Sequence, residues 1–155
     1  MIRQRLGKDL LFFDGGMGTL LQEKGLAPGE LPETWNLTHS EEIYKIHRQY
    51  IEAGSDIILT NTFGANALKF HDDSCSLEEI IKAAVSHVKK AEREALLQTG
   101  DERKIYTALD VGPTGKLLKP MGDLEFETAY EAFKEVVILG EQAGADLIHI
   151  DRKSV

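Results

Sequence analysis

The sequence predicts an α/β fold, a (β/α) barrel of which four β/α units are present. Three observations carry this. Four short apolar runs, 10–13, 56–60, 104–111 and 146–151, alternate with stretches of helical periodicity. Every run ends in polar, acidic or glycine-rich residues and is succeeded by a long loop, whereas the helix-to-strand joints are short. That asymmetry suits a barrel whose working loops lie after the strands. Finally, Glu52-Ala53-Gly54-Ser55-Asp56-Ile57-Ile58-Leu59 is echoed by Gln142-Ala143-Gly144-Ala145-Asp146-Leu147-Ile148-His149. A doubly wound sheet is the competing architecture. A complete eight-stranded barrel takes about 250 residues, and this chain has 155. The expectation is a half-barrel fragment with two open sheet edges, or a chain that pairs with another.

In chain order, Leu10-Leu11-Phe12-Phe13 is an apolar strand ending at Asp14, and Gly15-Gly16 make a tight turn. A short helix over 18–24 is closed by Gly25. Two prolines and a glycine make 27–33 a loop. Ser40 or Thr38 is the expected N-cap of a helix in which Ile43, Ile46, His47, Tyr50 and Ile51 share a face, and Gly54 ends it. The run 56–60 reads as a parallel strand covered on both faces, and leads into the polar loop 60–66. Ser76 or Asp73 is positioned to cap a long helix over 77–97. The third strand, 104–111, ends in Gly112-Pro113-Thr114-Gly115. A helix over 125–143 precedes the fourth strand, 146–151.

Composition narrows the function. A formal charge of −8 argues against nucleic acid and against anionic lipid. No apolar run reaches the about 18 residues of a membrane span. The basic start of the chain leads into an apolar run too short and too soon acidic for a signal peptide, so the cytoplasm is the expected compartment. A lone Cys75 excludes an internal disulfide and is no metal site by itself.

Chemistry concentrates at the strand ends. Asp14 reads equally as a carboxylate for a substrate ammonium group and as an acid fixing a turn. Gly15, Gly16 and Gly18 do not complete a dinucleotide fingerprint, since Leu21 stands at its last glycine, and there is no P-loop lysine after them. They suit a tight turn, or backbone N–H groups offered to a ligand carboxylate. Among Thr60, Asn61 and Thr62, the loop role is favoured for Thr60 and the site role for Asn61. Asp110 reads first as a turn acid. Asp151 is a second carboxylate at the same end as Asp14, and two such acids can grip an amine from two sides. His47 and His87 sit within helices as packing or surface residues, and His39 and His71 are loop histidines. His149 alternates with Ile148 and Ile150 and can face the barrel or a helix. Cys75 lies among Asp72, Asp73 and Ser74, an acidic setting that raises a thiol pKa.

Four motifs resemble one family. Phe13-Asp14-Gly15-Gly16-Met17-Gly18-Thr19, Pro32-Glu33-Thr34-Trp35-Asn36, the stretch Gly54-Ser55-Asp56-Ile57-Ile58-Leu59-Thr60-Asn61-Thr62-Phe63-Gly64-Ala65-Asn66, and Gly112-Pro113-Thr114-Gly115 occur in the order found in homocysteine S-methyltransferases. The pattern is nearest the N-terminal homocysteine-binding domain of cobalamin-dependent methionine synthases, and it runs from about Leu11 to Ile150. The resemblance implies a (β/α)8 TIM-type barrel, with residues 1–155 as the N-terminal part of a homocysteine-binding domain. It implies homocysteine as substrate and methionine as product. It also implies a zinc ion held by three cysteine thiolates, which binds the substrate thiol as a thiolate. In the methionine synthase branch it implies methylcobalamin as donor, recharged by methyltetrahydrofolate on other domains. Carried over by position, Asp14, Gly15 and Gly16 contact the amino-acid moiety, with Asn61 and Thr62 lining the same pocket.

Two departures accompany the resemblance. The family's zinc cysteines come from later strands, and Cys75 matches none of them. The family's fourth strand continues into a Glu-Thr pair that helps hold the substrate amine; here Asp151-Arg152 stand there, and Lys153-Ser154-Val155 do not match the family's continuation beyond that pair. The expectation is a chain that carries part of the homocysteine pocket and is inactive alone. Two other readings stand beside it: a non-catalytic subunit that complements a separate second half-barrel, and an unrelated barrel lyase using Asp14 and Asp151. A Schiff-base lysine at a strand end, which would favour the lyase, is missing.

Overall fold

The computed structural model describes residues 2–70, 74–100 and 102–152. His71, Asp72, Asp73, Asp101 and Lys153-Ser154-Val155 lie outside the described residues. The order of elements is α1 (Met17–Glu23), α2 (Trp35–Thr38), α3 (Ser40–Glu52), β1 (Ile57–Leu59), α4 (Leu77–Thr99), β2 (Tyr106–Val111), α5 (Phe126–Ala143) and β3 (Leu147–Ile150). The strands form a parallel sheet in the order β1-β2-β3.

The first expected strand contracts to a single parallel bridge, Phe13 to Ile57. The reason is local. Ile57 N–H donates to Phe12 O and Asp14 N–H to Ile57 O, both at 3.0 Å. The Phe12 N–H, however, donates at 3.1 Å to the Asp56 side chain. A carboxylate thus replaces the backbone partner that would extend the ladder. Three strands and a bridge therefore stand where four strands are expected.

The echoed motif now has a physical role. In each copy a glycine adopts the left-handed region, Gly54 at φ 110° and Gly144 at φ 93°, and ends the preceding helix. The aspartate two residues on then clamps the neighbouring strand from both sides. Asp56 N–H donates to Phe12 O at 2.8 Å while its carboxylate accepts from Phe12 N–H. Asp146 N–H donates to Thr107 O at 2.8 Å while its carboxylate accepts from Thr107 N–H at 2.9 Å.

Side chains alternate across the sheet. Ile58, Leu109 and Ile148 pack towards α3, α4 and α5, in clusters with Ile51, Val88 and Ala91 and with Ile80, Ile81 and Val136. Ile57, Tyr106 and Ala108 face the other side, with Leu11, Leu59 and Leu147 against them. This second face, turned away from the helices, is the inner face of the sheet. Helix α4 starts on Ser76 with a reciprocal capping box to Glu79. For α3 the expected cap is not realised. His39 occupies the N-cap without a side-chain bond, because α2 runs directly into this helix and Thr38 Oγ1 is spent on Thr34 O and on His39 Nδ1.

His47 is fully buried on α3, and both ring nitrogens lack a hydrogen-bond partner. Burial, with a lesser push from His87, pulls its pKa down to about 3. The neutral form is folded, and the unfolded chain takes up the proton below the ordinary value of 6.5. Stability is therefore complete above that value and is lost as the pH falls towards 3, by at most about 1.4 kcal/mol per pH unit. Urea unfolding of His47→Leu against the parent should show the parent alone losing stability in this window from that source; parallel pH profiles would contradict the assignment.

Candidate functional site

The C-terminal ends of the strands surround a cavity of about 300 Å³, lined by residues that include Asp14, Gly15, Gly16, Glu33, Asn61, Thr62, Asp110 and Asp151. Every site residue expected from the sequence therefore lines one space. Glu33 and Phe63 join them, and so does Asp110, which reads from sequence as a turn acid.

The cavity wall is tied together by hydrogen bonds that account for most of its polar groups. Thr62 Oγ1 donates to Asp110 O at 2.8 Å. Its single hydroxyl proton is spent there, so Thr60 Oγ1 is the donor in the 2.7 Å Thr60–Thr62 contact. Thr60 Oγ1 also accepts from Asp110 N–H at 3.2 Å. Asn61 donates both amide hydrogens, to Pro32 O at 2.8 Å and to Asn36 Oδ1 at 3.2 Å. Asn36 returns a bond to Asn61 O at 2.8 Å, and its own carbonyl takes the His87 ring at 2.7 Å. Asn61 thus lines the cavity with its donors already engaged.

Glycines let the walls close. A Cβ on Gly15 would lie 2.7 Å from Tyr50 Oη, and one on Gly112 would lie 2.3 Å from Phe63 O. The Glu33 carboxylate, buried, accepts from Gly64 N–H at 2.5 Å. Sequence reasoning carried Glu33 only as part of the Pro32–Asn36 motif. Its neighbouring prolines mark a loop, and nothing local signals that the loop folds inward.

Electrostatics single out Asp14. Its Oδ2 accepts from Leu59 N–H at 3.1 Å, and its Oδ1 is buried with no partner. Burial raises its pKa to about 7 against the pull of the Leu59 bond, with the Asp110 charge adding to the rise and His149 opposing it. Asp110 is also raised, first by burial; the His149 hydrogen bond opposes this and the Asp151 charge adds to it. Burial, and then the nearby Asp14, raise Tyr50. Several acids with one orphaned oxygen make a site for a cation. The direction of His149, open from the sequence, is set by its partners. It pairs in register with Asp110, reaches Asp110 Oδ1 from Nδ1 at 3.1 Å, and packs its ring on Phe13 at 5.3 Å. It faces the interior.

Because the folded Asp14 holds its proton up to about 7, against 3.8 for the ordinary group, its contribution to stability is present at low pH and is lost as the pH rises through 7. Asp14→Asn is therefore expected to be more stable than the parent at about pH 8 and to lose that advantage near pH 4. Denaturant midpoints at the two pH values test this, and an equal difference at both would refute it.

Among the described residues, no group of three or more His, Cys, Asp or Glu side chains stands where it could hold a metal ion. Comparisons with known proteins bear on family and fold separately. The family model described as homocysteine S-methyltransferase matches residues 11–152. Methionine synthase from Mycobacterium leprae (strain TN) is 29% identical over 154 residues, covering 96% of this chain and 13% of that protein. The homocysteine methyltransferase MmuM from Escherichia coli superposes in its metallated form with a TM-score of 0.81 at 22% identity, over 97% of this chain and 56% of that one. Its oxidized form gives 0.79 at 23% identity, over 95% and 55%. The chain thus spans about half the length of the solved structures it matches.

Proposed function

The chain belongs to the homocysteine S-methyltransferase family, and from that premise we propose that its cavity binds the amino-acid end of homocysteine, the acceptor in a methyl transfer that yields methionine. Residues 1–155 are then the N-terminal part of a homocysteine-binding domain. The observation that carries this is the buried, unpartnered Oδ1 of Asp14 in a cavity also lined by Asp110 and Asp151. A buried carboxylate oxygen without a partner is costly, and a substrate ammonium group supplies the missing charge and donors. Asp151 approaches from the end of β3, where its Oδ1 also accepts from Arg152 N–H at 2.7 Å. Gly15 and Gly16 let the backbone come close to the ligand, while Thr60, Asn61 and Thr62 shape a rigid wall.

The zinc that the family resemblance brings does not fit the residues present. The sequence holds a single cysteine, and the described residues offer no metal cluster. The residues of this chain bind and orient the substrate's amino-acid handle; activation of its sulfur falls to groups outside the set described. The purified chain is accordingly expected to bind homocysteine without methylating it.

Calorimetry with L-homocysteine tests the binding. Affinity should rise as the pH passes upward through about 7, where Asp14 ionises and the ligand remains an ammonium. Asp14→Asn should weaken binding by about tenfold or more, the loss of a charge-assisted hydrogen bond. The analogue mercaptobutyrate, which lacks the amino group, should bind far more weakly. Equal affinity for the two thiols would sink the reading.

A second reading is a non-catalytic chain that complements a second half-barrel, whose strands would cover β3 at the sheet edge, where Ile150 is 84% exposed. Such a chain should co-purify from its own cells with a protein carrying a Gly-Cys-Cys segment; recovery of the chain by itself would count against it.

A further inference from the structure

One titratable side chain on the inner face of the sheet stands just outside the cavity lining, bonded to an acid that is part of it. His149 stands opposite Asp110 in the β2–β3 pairing, and the alternation of side chains puts both on the interior face. The imidazole is held from two directions. Nδ1 lies 3.1 Å from Asp110 Oδ1, and the Phe13 ring, from the far side of the sheet, lies 5.3 Å away at a tilt of 52°. His149 does not line the cavity, but Asp110 does.

The charges around this pair explain why a fixed donor matters. Asp110 feels Asp151, from the end of β3, and Glu33, from the loop before α2. Asp14, at the end of the first segment, feels both Asp110 and His149, and Tyr50 of α3 faces Asp14. An acid in such company is driven to take a proton or to turn away from its neighbours. An N–H bonded to one carboxylate oxygen opposes both. It favours the charged form and fixes the carboxylate plane.

We propose that His149 is a positioning residue for ligand binding: by donating Nδ1–H to Asp110 Oδ1 it holds Asp110 as a further acid facing the ligand's ammonium group, beside Asp14. The proposal rests on the reading of the cavity as an amino-acid site. His149 touches no ligand itself, and its effect passes through Asp110. When neutral it carries its proton on Nδ1, which leaves Nε2 as the acceptor.

Two measurements on the full chain test it. Nitrogen-edited NMR of the protein reads which ring nitrogen of His149 carries the proton in the neutral ring. Nδ1 should carry it, and a proton on Nε2 alone overturns the proposal. Calorimetry with L-homocysteine then compares two variants whose circular dichroism matches the parent. His149→Phe keeps a ring against Phe13 but has no donor, and should bind about tenfold more weakly. His149→Gln keeps an N–H donor and should recover most of that loss. Parent-like binding by His149→Phe with a loss in His149→Gln means that the ring only packs; that outcome, or equal affinities in the two variants, overturns the proposal. A parent chain that takes up no homocysteine refutes the amino-acid reading instead, and the protonated ring nitrogen seen by NMR still decides whether His149 holds Asp110.

Discussion

The sheet depends on one repeated interaction, the two-way clamp of an aspartate on the peptide of the neighbouring strand. Asp56 grips Phe12 and Asp146 grips Thr107, each through its own N–H and its carboxylate. In a parallel pair, register is otherwise set only by side-chain packing and slanted backbone bonds. A clamp at the base of the strand fixes register before the strand begins. Arg5 and Lys89 add ion pairs to the two carboxylates. With the bases locked, the upper ends of the strands arrive together, and Asp14, Asp110 and Asp151 line one cavity.

That convergence has an energetic consequence. The base of the sheet spends its acids on backbone donors and cations, whereas the top leaves an acid oxygen unpaired. The same residue type therefore stabilises one end of the fold and strains the other. Burial holds Asp14 half-protonated near neutrality, a cost that a cation brought beside it would relieve. The tops are tied by side chains as well: Asp14 to Leu59 N–H, and Thr60 and Thr62 to the Asp110 peptide. These bonds fix the cavity wall without neutralising it.

Much of this was legible in the residues. The period of the apolar runs, the glycine-ended helices, Ser76 as a helix cap and the polar strand ends all come from local rules, and the structure obeys them. The repeat of Gly-x-Asp was visible, but its meaning was not, because the clamp joins residues 44 and 39 positions apart. The same blindness to distance hid Glu33, whose partner is Gly64 N–H, and left His149 without a direction until its register with Asp110 was known. Asn61 was read as a residue lining the pocket; it lines the cavity, with its amide hydrogens on Pro32 and Asn36. The first strand was over-extended because its apolar residues say nothing of a carboxylate that intercepts the Phe12 N–H.

The exchange of amide bonds between Asn36 and Asn61, extended by His87 on α4, joins the cavity rim to a helix packed on the opposite face of the sheet. The rim is thereby part of the same cooperative unit as the core, rather than a loop that opens on its own. Its amide protons should exchange with solvent as slowly as those of α4. A ligand entering such a site meets a wall that is already ordered, so little of its binding free energy is consumed in freezing the protein.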